Sequence, residues 1–135
     1  MTSSINVSRL SIQLLRIMLS GIFLVAGINH LVDVEKTTQR IEMAQFKGFA
    51  MFFGTLEILV ILSGIAMIIA GISFMIGYKT RWAAMVLLVI LIPISITVQL
   101  GQLTTLGPLF KNVAIAGGLL FFILNDLKTI KNQNP

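Results

Sequence analysis

Apolar residues fill four long stretches of this chain, at residues 10–31, 49–76, 82–100 and 108–127, and polar residues gather between them. Each stretch is close to or above the roughly 20 residues that carry a helix through bilayer hydrocarbon. The pattern predicts an all-α fold, an integral membrane four-helix bundle in which residues 1–135 form one domain. Asp33 to Lys47 is the longest polar connection. There the acids Asp33, Glu35 and Glu42 and the bases Lys36, Arg40 and Lys47 interleave with Val34, Ile41, Met43 and Phe46. That mixture predicts a short amphipathic segment lying on the membrane surface, with a solvated loop as the alternative.

The first stretch carries Arg16 near one end and the protein's single histidine, His30, at the other. At roughly 100° per residue, Arg16, Ser20, Phe23, Gly27 and His30 fall within about 40° of a common line, so one helix face holds every unusual residue. An ionisable side chain within a span turns towards protein, and the other helices are expected to cover this face. Ile17 to Ile28 could also be read as the apolar part of a signal peptide behind two arginines. No small-x-small cleavage site follows it, and three further apolar runs favour a retained helix.

Glu57, Gly64 and Gly71 recur every seven residues in the second run. Small residues at that spacing let a neighbouring helix approach closely, and Gly27, Gly64, Gly71, Gly117 and Gly118 are the expected packing positions. Gly77 is placed to end the helix, and Thr80 to cap the next. Trp82 suits the membrane interface, and Pro93 is expected to kink the third helix near its middle. Ser95, Gln99 and Gln102 share a face beyond the kink. Gly107-Pro108 reads as a cap followed by proline at the first helical position, which puts Lys111 and Asn112 one turn inside the fourth helix. The polar tail, Lys128 to Pro135, is expected to be disordered.

Composition narrows the function classes. Of 135 residues, 56% are hydrophobic and 11% charged, and the mean hydropathy is +0.97, which belongs to the bilayer as partner. The net charge of +5 comes from bases scattered in ones and twos at helix ends. That distribution suits membrane anchoring and gives no basic, aromatic-studded face for nucleic acid. Cysteine is absent, which removes thiolate chemistry and Cys-ligated iron–sulfur clusters. One histidine cannot make a bis-histidine haem site, and no zinc motif is present. Four spans put both termini on one side with Arg9, Arg16, Lys79, Arg81, Lys128 and Lys131, against Lys36, Arg40, Lys47 and Lys111 on the other. This excess predicts cytoplasmic termini in a bacterial cytoplasmic (inner) membrane.

Glu57 lies about 12 Å inside the outer boundary of a helix starting at residue 49, at about 1.5 Å per residue. His30, Gln99, Lys111 and Asn112 fall in the same outer half, and Arg16 could reach Glu57 from the adjacent helix. Three readings of Glu57 stay open: a structural ion pair with Arg16 or Lys111, the anchor of a polar pocket, or a protonated, merely hydrogen-bonded acid. His30 is a ligand candidate or a polar end to its span. Lys111 is a ligand candidate or snorkels to headgroups.

The chain resembles the DoxX family of small four-helix bacterial and archaeal membrane proteins. The resemblance rests on Arg16 followed by Gly21, Phe23 and Gly27, on Glu57, on Gly77-Tyr-Lys-Thr-Arg-Trp-Ala-Ala84, and on Phe110-Lys-Asn-Val-Ala-Ile-Ala-Gly-Gly-Leu120. It implies a membrane accessory subunit of a quinone- or thiol-linked redox system, with Arg16, Glu57, Lys111 and Asn112 as the matching polar positions. His30 stands where relatives often have lysine, and Gln99 and Gln102 where a histidine commonly ends the third helix. The expected site is a quinone headgroup pocket among Glu57, His30, Gln99 and Lys111. A non-catalytic module that assembles or stabilises another membrane protein, or a homo-oligomer, is the rival.

Overall fold

A computed structural model describes residues 5–125. The tail from Lys128, with Lys131, and the expected end of the fourth span at Leu127 lie outside the described residues. Six α-helices follow one another: α1 (Arg9–Val32), α2 (Val34–Glu42), α3 (Lys47–Met51), α4 (Leu56–Ile76), α5 (Thr80–Ile94) and α6 (Leu106–Leu124). A π-helical turn, Ser95–Gln99, extends α5, and a 3-10 turn, Leu103–Thr105, precedes α6. Four stretches are long and apolar enough to cross a membrane: Arg9–Val32, Leu56–Ile76, Thr80–Gln99 and Leu103–Leu124. The protein is an all-α membrane bundle.

The long helices run up and down in sequence order, α1 against α4, α4 against α5, and α5 against α6. Lipid tails are as apolar as leucine, so burial gives little drive for these helices to associate, and close packing has to supply it. Glycines do so where α1 crosses α4. A Cβ at Gly27 would lie 2.9 Å from the Gly64 carbonyl oxygen, and a Cβ at Gly64 would lie 3.1 Å from the Gly27 oxygen. The two backbones meet through the space each missing side chain leaves. Gly71 receives Leu24 in the same seam, and Gly118 on α6 receives Leu19 from α1. Gly117 differs: a Cβ there would meet nothing. One step along the helix has turned it to the outside, so Gly118 alone supplies that close approach.

The half of the bundle nearest the termini is tightly filled. Phe74, Leu87 and Leu119 have no exposed surface. Phe74 and Phe122 pack edge to face with ring centroids 4.9 Å apart at 81°, a geometry that adds about 0.5–1.5 kcal/mol beyond burial. The opposite half is looser and carries α2 and α3.

The second span starts later than the apolar run suggests. Gly54 has φ +130°, and the chain turns over residues 52–55 before α4 begins at Leu56. The apolar residues upstream belong to α3 and the turn after it, where Phe53 packs edge to face on both Phe49 and Phe52. At the other end of α4, Gly77 (φ 83°) closes the helix as expected. Lys79 takes φ 44° in the turn, and Thr80 is already the first residue of α5 rather than its cap. Pro108 is the third residue of α6, not the first; no helical N–H is lost there, since the first-turn donors have no intrahelical partner.

Gly27→Ala forces the α1 and α4 backbones apart and is expected to destabilise the bundle by roughly 1–3 kcal/mol. Gly117→Ala is expected to stay within about 0.5 kcal/mol of the parent. Reversible unfolding in detergent micelles measures both.

Candidate functional site

The register set at Gly27 and Gly64 continues for one more turn. His30 follows Gly27 on the same face of α1, and on the antiparallel α4 the residues opposite it precede Gly64. The His30 Nδ1 lies 3.0 Å from the Ser63 hydroxyl. That hydroxyl donates its one proton to the Val60 carbonyl oxygen at 2.9 Å. Towards His30 it can therefore only accept, so that in an uncharged imidazole Nδ1 is the nitrogen that carries the proton. Nε2 is left as the acceptor. It has no hydrogen-bond partner among the described residues, and it is not sealed from the surroundings.

His30 and Ser63 border a cavity of about 370 Å³. Ile41 of α2, Phe53 and Thr97 complete its wall with the apolar faces of α4 and α5. Pro93 helps to make this space. It lacks the N–H that the Val89 carbonyl would accept from, and the helix gives way beyond it to the wider π turn. The bend is tied from inside. Ser95 donates to the Leu91 carbonyl at 2.8 Å, and the Asn112 amide donates to Ser95 at 3.0 Å from α6. Thr97, on the π turn, is 3% exposed and contributes the cavity's second hydroxyl. Leu62 and Val89 line the cavity and also lie on the exposed surface of α4 and α5. The cavity accordingly reaches the outer surface of the bundle beside these two residues.

Over the end of the bundle, Asp33 ends α1 and caps α2, accepting from the Lys36 backbone N–H at 3.3 Å. The segment after α2 folds back onto the π turn. A Cβ at Gly101 would meet Gln45 and Phe46, so this lid-like segment rests where only glycine fits, at φ +94°.

Most of the polar residues expected to meet do not. With α4 beginning at Leu56, Glu57 is in its first turn and exposed, not a third of the way into a span. No ion pair joins it to Lys111 or Arg16 among the described residues. Lys111 is exposed on α6. Arg16 lies at the far end of α4, where a Cβ on Gly77 would overlap its guanidinium; twenty residues of helix, about 30 Å, separate it from Glu57. The Gln99 side chain is off the cavity wall, with its amide oxygen buried and unpartnered. Asn112 is buried in its bond to Ser95. Of the expected group, the cavity takes His30 alone.

Ser63, Thr97 and Phe53 were not singled out by the sequence. Ser63 was legible in principle, because pairing Gly27 with Gly64 places His30 against the turn that holds it. Thr97 and Phe53 depend on the π turn and on the break at Gly54, and no apolar periodicity reports either.

Asn112→Leu, close in volume, is expected to lower stability by about 1 kcal/mol through loss of the bond to Ser95. Lys111→Met at the adjacent exposed position is expected to change it by less than about 0.5 kcal/mol. Thermal unfolding in detergent compares the two.

The family comparison agrees with the fold. The DoxX family matches residues 11–100, from α1 through the π turn. No curated protein and no solved structure matches this chain. A match over most of the chain, on a bundle of four membrane-length helices, assigns the protein: it belongs to the DoxX family of membrane proteins.

Proposed function

We propose that this protein is the membrane accessory subunit of a quinone- or thiol-linked redox system, and that the cavity beside His30 holds a quinone-type ring drawn from the bilayer. The observation that carries this reading is the cavity itself: apolar walls, lining residues Leu62 and Val89 that are also exposed on the surface of the bundle, and one imidazole with a nitrogen that has no partner among the described residues. A space of about 370 Å³ falls in the range of small-molecule sites, about 300–1,000 Å³. Flat ring and isoprenoid tail suit such walls, and ring oxygens need one or two polar partners. A bound quinone supplies electron and proton carriage that no side chain of this cysteine-free protein provides. His30 and Thr97 orient the ring, Ser63 fixes the imidazole, and Phe53 and Ile41 exclude water from above.

We place the protein in a bacterial cytoplasmic membrane with both termini cytoplasmic. Arg9, Arg16, Lys79 and Arg81 lie at the terminal end and, by sequence, Lys128 and Lys131 follow α6; Lys36, Arg40, Lys47 and Lys111 belong to the opposite end, six bases against four. An accessory role suits a site whose walls are mainly apolar and whose polar groups are one imidazole and two hydroxyls. The electron donor then belongs to another polypeptide.

Binding of decyl-tailed benzoquinone and its hydroquinone to protein in nanodiscs, followed by calorimetry, tests this. Micromolar binding of at least one form is expected, weakened about tenfold or more by His30→Phe. Glu57→Gln and Lys111→Met are expected to leave it unchanged. If neither form binds, and the chain instead copurifies stoichiometrically with a second membrane polypeptide, the assembly module is the correct reading.

A further inference from the structure

The cavity wall is apolar apart from His30, Ser63 and Thr97, and the hydrogen-bonding roles of these few groups say which oxidation state it prefers. We infer that the site selects a hydroxyl-bearing ring, the quinol or phenol form, over the carbonyl-bearing quinone. The inference rests on the ring site proposed above and goes a step beyond it.

The argument starts at Ser63. Its proton is committed to the Val60 carbonyl, so His30 donates through Nδ1 and offers a lone pair at Nε2. No lysine, arginine, asparagine, glutamine or tryptophan borders the cavity, and those are the side chains that carry fixed donors. Val89 and Pro93 both border it, and proline has no N–H with which to add a donor to the same wall. Thr97 can donate or accept and favours neither form. A quinone presents only acceptors, and against Nε2 two lone pairs would face each other. A quinol presents two O–H donors, and one of them matches Nε2. In an apolar surrounding an unmatched polar pair is penalised more than in water, so the difference between the two forms is large for a single contact. A site of this kind stands where the reduced carrier is taken up or retained, next to chemistry that consumes a quinol.

The test compares three ligands with the same decyl tail in nanodiscs under anaerobic conditions: the benzoquinone, the hydroquinone and the hydroquinone dimethyl ether. At about pH 8, above the ordinary range of imidazole titration, the hydroquinone is expected to bind about tenfold tighter than either of the others, the worth of one hydrogen bond. Because His30 is the only histidine, 15N labelling reports its ring without ambiguity, and Nδ1 is expected to carry the proton in the ligand-free protein. Ser63→Ala releases Nδ1 and is expected to narrow the preference to about twofold. Equal affinities, tighter quinone binding, or an Nε2-protonated ring would overturn the inference while leaving the ring site standing. Binding of none of the three overturns the ring site and the inference together.

Discussion

The crossing of α1 and α4 at Gly27 and Gly64 is the contact on which the rest of the structure depends. In hydrocarbon there is no solvent to expel, and two helices stay together when their backbones come close enough for dispersion to accumulate over many atoms. Each glycine leaves room for the other's carbonyl, which fixes the register of the pair as well as its separation. One turn away in the same register, His30 has no choice but to face the Val60–Ser63 turn. A packing constraint thereby holds the only imidazole in the protein against a hydroxyl whose proton is turned towards Val60.

The two halves of the bundle divide the work. Towards the termini, Phe74 and Phe122 interlock and leave no space, and Leu19 fits against Gly118. Towards the other end, the helices must spread around Pro93 and the π turn, and the opening they create is large enough to need covering. The segment from α2 through Phe53 covers it. The tight half gives the loose half something rigid to hinge upon, which is how a small bundle can keep a defined cavity in a solvent that exerts no hydrophobic pressure.

The four membrane helices were legible because hydropathy over about 20 residues is a coarse and robust signal. The Gly27, Gly64 and Gly71 seam was legible for a related reason, since small residues on a helical repeat have few other uses in a span. What failed was depth. Counting Glu57 from residue 49 assumed an unbroken helix, and hydropathy cannot distinguish a span from an apolar interfacial turn: Phe49, Phe52 and Phe53 score alike in both. The turn at Gly54 moved Glu57 to the membrane boundary and dissolved the expected polar cluster. Gly117 failed through angle, as neighbouring positions on a helix differ by roughly 100° and only one of a glycine pair can face a given partner.

Arg16 and Glu57 show what the misplaced charges do instead. One reading of the sequence paired them, yet they sit at opposite ends of α4. Glu57 lies in the first turn, where the unsatisfied N–H groups make the helix end positive, and the Arg16 guanidinium packs against Gly77 at the negative C-terminal end. Each charge thus complements one pole of the same helix dipole, and neither requires the other. The consequence reaches the cavity, which lies along the Glu57 half of α4. With both charges held at the poles and Lys111 outside, His30 is the one ionisable side chain on the cavity wall. Such a space repels ions, for which it offers no counter-charge, and accepts an uncharged ring whose polarity is limited to a single hydrogen bond.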